Sequence, residues 1–290
     1  MDRLKATAVF DTYVSNYDRD NPMIDLKAVH SYKVAENAER IARSHGMEEQ
    51  ADFAWLLGLL HDIGRFEQVK RYNTFSDSRS VDHAELGADI LFKEGLIGSF
   101  PTESLPEGWQ KTAETAIRQH NKLALPDGLD AETRTLSEIL RDADKVDIFR
   151  VLAEVSYDDR RGGKRSSPPD HSSLSPEVMR CVMEHRCVPR DVRKTLFDMR
   201  VSHCCLAFEL SYEESRKIAK EQGYLHKLLT LQDEDGLRSR DDRQLRQLAL
   251  VEKEIEKAWK DTDTPSTITR PTEWDLPTTP TTSAGWKKRG

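Results

Sequence analysis

LLGLLHDIGRF, residues 56 to 66, sets a histidine and an aspartate side by side at the end of a run of leucines. The leucines read as a buried helical segment. An unpaired ionisable group in such a place costs several kcal/mol, so His61 and Asp62 need a compensating partner. Helical periodicity continues on both sides of the doublet. Leu26 to Arg43 places Val34, Ala38, Ile41 and Ala42 at three- and four-residue spacings. Glu49 to Ile63 is predicted to end at Gly64, and Asp82 to Glu94 at Gly95, because glycine readily takes the left-handed conformation of a helix stop.

Further helices are predicted over Gln110 to Asn121, Glu132 to Tyr157, Ser175 to Glu184 and Arg190 to Leu210. No series of alternating strands competes with them. The fold class is therefore all-α, a helical bundle. Phe66 to Val81 reads as a polar connector, and Gly98 to Gly108 and Asp158 to Ser175 have loop composition, the last of a length suited to a lid or a disordered stretch. The expected organisation is one catalytic domain over 1–230, an amphipathic C-terminal helix within 231–260, and a disordered threonine- and proline-rich tail over 261–290. That helix offers Leu245, Leu248, Val251, Ile255 and Trp259 on one side, either to the core or to another chain.

With 290 residues the chain is long enough to bury a substantial core, and its net charge of -7 gives no reason to expect nucleic acid or an anionic membrane as a partner. Its four cysteines include no C-x-x-C pair, so neither a disulfide framework nor a thiolate zinc site is indicated. The N-terminal MDRLKATAVFDTYV lacks the pattern of a signal peptide, and no apolar stretch approaches the ~20 residues of a membrane span. A cytoplasmic protein is expected, with a homo-oligomer as an open option.

The remaining histidines extend the pattern of the doublet. His30 precedes Val34, Ala38 and Ile41; His61 follows Phe53 and Leu57; His83 precedes Gly87 and Ile90; His120 follows Ala113, Ala116 and Ile117. Asp144 sits between Leu136 and Leu140 on one side and Ile148 and Val151 on the other. These spacings put all five on core-facing positions, and Asp62 makes six. A lone histidine of this kind is usually a hydrogen-bonded core residue. Six ligand-type groups spread over several helices suggest a metal centre, since a cation supplies the missing compensation. Nitrogen and oxygen donors without thiolates favour iron, manganese, zinc or a similar divalent ion, and six donors suit two ions with a shared carboxylate.

The ordered set His30, His61-Asp62, His83, His120, Asp144 resembles the HD-domain superfamily of metal-dependent phosphohydrolases, named for the His-Asp doublet. The resemblance implies an HD-domain helical bundle with two divalent ions, drawn from Fe, Mn, Zn, Co, Ni or Mg. By that resemblance His30, His61, Asp62 and Asp144 hold one ion, and Asp62, His83 and His120 the other, with Asp62 bridging. A hydroxide generated between the ions is then the implied nucleophile. Arg65, directly after HDIG, matches a basic position that holds substrate phosphate in the family. Asp62 and Arg65 are thus the candidate catalytic residues, and Arg65, Lys145 and Arg79 the candidate substrate contacts. The implied reaction is cleavage of a phosphate monoester or phosphodiester in a small phosphorylated substrate, a nucleotide among the candidates.

HNKLALPDGLD, residues 120 to 130, departs from the doubled histidine and Gly-Tyr-Pro signature of the cyclic-di-nucleotide branch. Hydrolysis of cyclic di-GMP is not expected. Two rivals use the same residues: a mixed-valent diiron oxygenase acting on a small organic substrate, and a non-catalytic metal- or ligand-binding module. No phosphate-binding loop of the G-x-x-x-x-G-K type and no G-x-S-x-G elbow occurs. RGGKR at 161 to 165 is a second, weaker candidate for phosphate contact.

Overall fold

The computed structural model describes residues 1–156, 160, 171–232 and 241–263. Most of Asp158 to Ser175, with the RGGKR stretch, and the tail from 264 lie outside the described residues. The described chain is helical, without strands. Two long helices, α2 (Pro22–Ser44) and α7 (Ala131–Glu154), form its axis and pack on each other. Each begins at a side-chain cap: Asn21 accepts from the Met23 amide ahead of a proline at the first helical turn, and Asp130 accepts from the Thr133 amide. α1 (Arg3–Val14), which the apolar pattern did not reveal, is capped by Asp2 and buries Ala6, Phe10 and Val14.

The central surprise lies in the quoted stretch. Instead of one helix over Glu49 to Ile63, α3 (Ala51–Leu60) stops before the doublet and α4 (Ile63–Tyr72) starts after it. Asp62 occupies the cap position of α4 at φ -102° and ψ 16°, yet its carboxylate caps nothing. It is left for other partners. Gly64 is not a helix stop but the point where α4 touches its neighbour: a Cβ there would lie 2.3 Å from the His83 carbonyl oxygen and 2.5 Å from the Gly87 nitrogen. Gly58 does the same for α3, since its Cβ would meet Ala35 Cα on α2 at 2.6 Å.

The expected connector from Phe66 is correspondingly shorter. α4 buries Phe66 and Val69 on one face and runs to Tyr72, so irregular chain starts only at Asn73. α5 (His83–Ala88) passes into a π-helical turn over Asp89–Lys93, ahead of Gly95 as expected. α6 (Trp109–Gln119) brings His120 to its end. The stretch Arg190 to Leu210 is not one helix: after α8 (Pro176–Met183), a short 3-10 turn at Arg190–Val192 precedes α9 (Leu196–Cys204). Thr195 and Asp198 form a reciprocal capping box that fixes where α9 begins.

α10 (Glu213–Gln222), α11 (Tyr224–Leu229) and α12 (Asp242–Asp263) close the far side. α12 packs back on the chain, burying Leu248, Val251, Ile255 and Trp259, with the Trp259 indole donating to the Ala207 carbonyl at 2.9 Å. No helix among the described residues is long and apolar enough to cross a membrane.

Candidate metal centre

All six predicted ligands converge, although they come from α2, the α3–α4 corner, α5, the end of α6 and α7. His30, His61, Asp62, His83 and His120 are buried, and the Asp144 side chain keeps 16% exposure, which marks the open side of the site. The two oxygens of Asp62 divide the others. Oδ2 lies 3.4 Å from His61 Nε2 and 3.6 Å from His30 Nε2. Oδ1 lies 3.4 Å from His83 Nε2 and 3.8 Å from His120 Nε2. Asp144 Oδ1 joins the first group, 3.1 Å from His30 Nε2 and 3.6 Å from His61 Nε2.

Every imidazole is anchored from behind. Nδ1 of His61 donates to the Gly58 carbonyl and Nδ1 of His120 to the Ile117 carbonyl, each at 2.7 Å. Nδ1 of His30 faces Asp147 Oδ2 at 2.7 Å, and Nδ1 of His83 faces Asp77 Oδ2 at 2.8 Å. A carbonyl or carboxylate oxygen only accepts, so each ring carries a proton on Nδ1 and turns its Nε2 inward. This is the arrangement of metal-ligating histidines, whose outer partner fixes tautomer and ring direction. Asp147 and Asp77 escaped the sequence reading. Asp147 had a usable signal, since it follows Asp144 by three residues on α7.

The inner atoms behave as if a cation belonged among them. His83 Nε2 and His120 Nε2 face each other at 3.0 Å. Burial, followed by the Arg65 charge, pushes His83 below its ordinary value, and burial with the charges of His83 and His61 pushes His120 down to about 3. Both rings are therefore neutral near pH 7, and two lone pairs oppose each other. His61 Nε2 and Asp62 Oδ1 are buried without a hydrogen-bond partner. Burial lowers His61, but the negative charges of Asp62 and Asp144 outweigh it and hold the ring at about 10. A proton there does part of the work that a cation would do.

The carboxylates answer the same field. Burial alone would raise Asp62, but the charges of Lys27, His61 and Arg65 hold it well below the usual carboxylate range. Burial likewise opposes ionisation of Asp144, and the adjacent His30 and His61 rings reverse the effect, holding it well below the usual carboxylate range. Among the described residues, four groups of potential ligands have donor atoms within 4.8 Å of one another: His30, His61 and Asp62; His61, His120 and Asp144; Asp62, His83 and His120; and Asp77, Asp82 and His83. The last is already committed. Asp77 takes bonds from Arg65, Gln68 and His83, and Asp82 caps α5 and receives Asn121 and Lys122.

Residues 28–148 match the family model of the HD domain. The chain contains an HD domain. No curated protein and no solved structure matches the chain. The matched span runs from two residues before His30 to four beyond Asp144, so it encloses the six converging ligands.

The predicted substrate contacts fall at different places around the HD domain. Arg65 reaches the centre, with Nε 3.5 Å from Asp62 Oδ1, while Nη1 donates to Gln68 Oε1, the Phe75 carbonyl and Asp77 Oδ1. Arg79 is exposed on the rim of a cavity of about 520 Å³ lined also by Met23, Tyr72, Phe75 and Ser76. Lys145 turns to Glu209, 3.3 Å away, and to the Arg141 carbonyl. Lys27, which the sequence reading did not single out, enters the centre itself: its Nζ lies 2.5 Å from Asp62 Oδ2.

Proposed function

We propose that this HD domain is a dinuclear metal-dependent phosphohydrolase that cleaves a phosphate ester of a small metabolite, with nucleotides among the candidates. The observation that carries the reading is the division of Asp62, one oxygen toward His30 and His61 and the other toward His83 and His120. His30, His61, Asp62 and Asp144 are assigned to one ion, and Asp62, His83 and His120 to the second. When bound, two divalent ions lower the pKa of a water molecule and offset the charge of a phosphate group.

The protein's own groups then have separate tasks. Asp147, Gly58, Asp77 and Ile117 hold the four rings so that Nε2 stays aimed inward. Arg65, fixed by Gln68, Phe75 and Asp77 and adjoining Asp62, is assigned to the phosphate oxygens, for which a planar guanidinium is suited. Arg79 is assigned to the organic part of the substrate in the neighbouring cavity.

The test is a phosphate-release screen over phosphate esters and nucleotides, run without oxygen on protein purified without added metal. Metal-dependent release that disappears in Asp62→Ala supports the reading. Oxygen consumption with an organic substrate and no phosphate release would assign the centre to the diiron oxygenase class. Metal binding with no turnover at all would make the chain a binding module.

A further inference from the structure

We propose that Lys27 is a substrate-anion ligand of the centre, parked on Asp62 until metal displaces it; the proposal rests on the dinuclear reading above. Lys27 stands three residues before His30 on α2 and so shares the helix face that looks into the site. Its Nζ lies 2.5 Å from Asp62 Oδ2, the oxygen that also faces His30 and His61. The side chain is only 14% exposed. Among the described residues, Asp62 is its one ionic partner.

An ion held by His30, His61 and Asp62 would compete with the Lys27 ammonium for the Asp62 carboxylate. An ammonium and a divalent cation crowded onto one carboxylate repel each other, all the more where little water screens them. Metal binding therefore breaks the Lys27 contact. Lys27 then turns to its other neighbour, the ring of Phe75, which already lies 5.4 Å from Nζ. The same ring carries the Arg65 guanidinium at 5.5 Å and lines the 520 Å³ cavity with Met23, one helical turn before Lys27.

Two cations thus meet at one aromatic ring, at the junction of the centre and the cavity. They differ in freedom. Arg65 is tied by three hydrogen bonds to Gln68, Phe75 and Asp77, whereas Lys27 loses its carboxylate partner as the metal arrives. A phosphoryl group at that junction offers the released ammonium a new anionic acceptor and leaves the esterified organic part in the cavity, against Met23 and Tyr72. Substrate binding thereby becomes dependent on metal binding, because only the metal-loaded centre frees Lys27.

The experiment uses the full chain as wild type, Lys27→Met and Lys27→Arg, titrated first with Mn²⁺ alone and then, once loaded, with inorganic phosphate. Lys27→Met is expected to bind Mn²⁺ at least as tightly as wild type, having lost the competing cation, and to bind phosphate about tenfold more weakly or worse. Lys27→Arg should recover most of the phosphate affinity. A Mn²⁺-loaded Lys27→Met with wild-type phosphate affinity overturns the role of Lys27 and leaves the metal centre standing. Loss of Mn²⁺ binding in Lys27→Met, with Lys27→Arg normal, would make the lysine a support for Asp62 and also overturn it. Wild type that takes up no Mn²⁺ overturns both this proposal and the dinuclear reading.

Discussion

Asp147 Oδ2 lies 2.7 Å from His30 Nδ1, on the side of the ring that faces away from the centre. Its other oxygen receives the Arg150 guanidinium at 2.7 Å, so the carboxylate is itself held in place. Burial would keep Asp147 protonated, but His30 and Arg150 hold it below the usual carboxylate range. The pair fixes His30 as a donor of its Nε2 lone pair. Asp147→Asn preserves shape and removes the negative charge behind the ring. Metal affinity is expected to fall by roughly 10- to 100-fold, with thermal stability of the metal-free protein changed far less. Calorimetric titration of the stripped variant checks it, and wild-type affinity would count against the assignment of Asp147.

Asp62 serves both groups of histidines, whereas His30 and His83 each serve one. Asp62→Asn should therefore lose both ions, while His83→Ala should lose one and keep the ion at His30, His61 and Asp144. Stoichiometry by titration separates the cases. Equal loss from Asp62→Asn and His83→Ala would point to a single ion instead of two.

The metal-free protein should also carry a definite pH signature. His61, raised from 6.5 to about 10, binds more protons folded than unfolded between those values, so its stabilising contribution is full below pH 6.5 and lost as pH rises toward 10. His120, lowered from 6.5 to about 3, has the opposite sign: its neutral folded form loses stability as pH falls from 6.5 toward 3. From this pair alone, melting temperature should peak near pH 6.5. Ion binding must expel the His61 proton, so metal uptake at pH 7 should release protons and strengthen with pH. Calorimetry in two buffers of different ionisation enthalpy reads that release. No proton release, with a melting temperature flat from pH 7 to 10, would contradict it.

Gly64 joins the fold to the site. Its missing Cβ lets α4 reach the backbone at His83 and Gly87, and the atoms a side chain would strike are backbone atoms. Gly64→Ala should cost about 1–3 kcal/mol or more and push α5 outward. His83 moves with α5. Loss of the ion at His83 and His120 before the other, in a protein with a lowered melting temperature, is the expected result. Wild-type stability would show that the contact relaxes at little cost.

How far these features could be read in the sequence depended on periodicity. His30, His83, His120 and Asp144 sit on helices whose apolar spacing fixes their direction, and all of them reach the centre. The doublet was legible as chemistry but not as geometry. Ala54 to Leu60 continues smoothly into HDIG, and nothing local shows that the helix breaks at Asp62 or that Gly64 answers to a neighbouring backbone. Asp77 and Lys27 were hidden for a related reason: one comes from an irregular connector, and the other is a charged residue near a helix start that reads as solvated. Their roles arise from partners 6 and 35 residues away in the chain. Only folding brings those partners together.

The most direct measurement is the metal content of the full-length protein purified without added metal, by elemental analysis, beside Asp62→Asn prepared identically. Two divalent ions per wild-type chain and none in the variant are expected. A wild-type chain that carries no ion and acquires none on titration would contradict the metal centre outright.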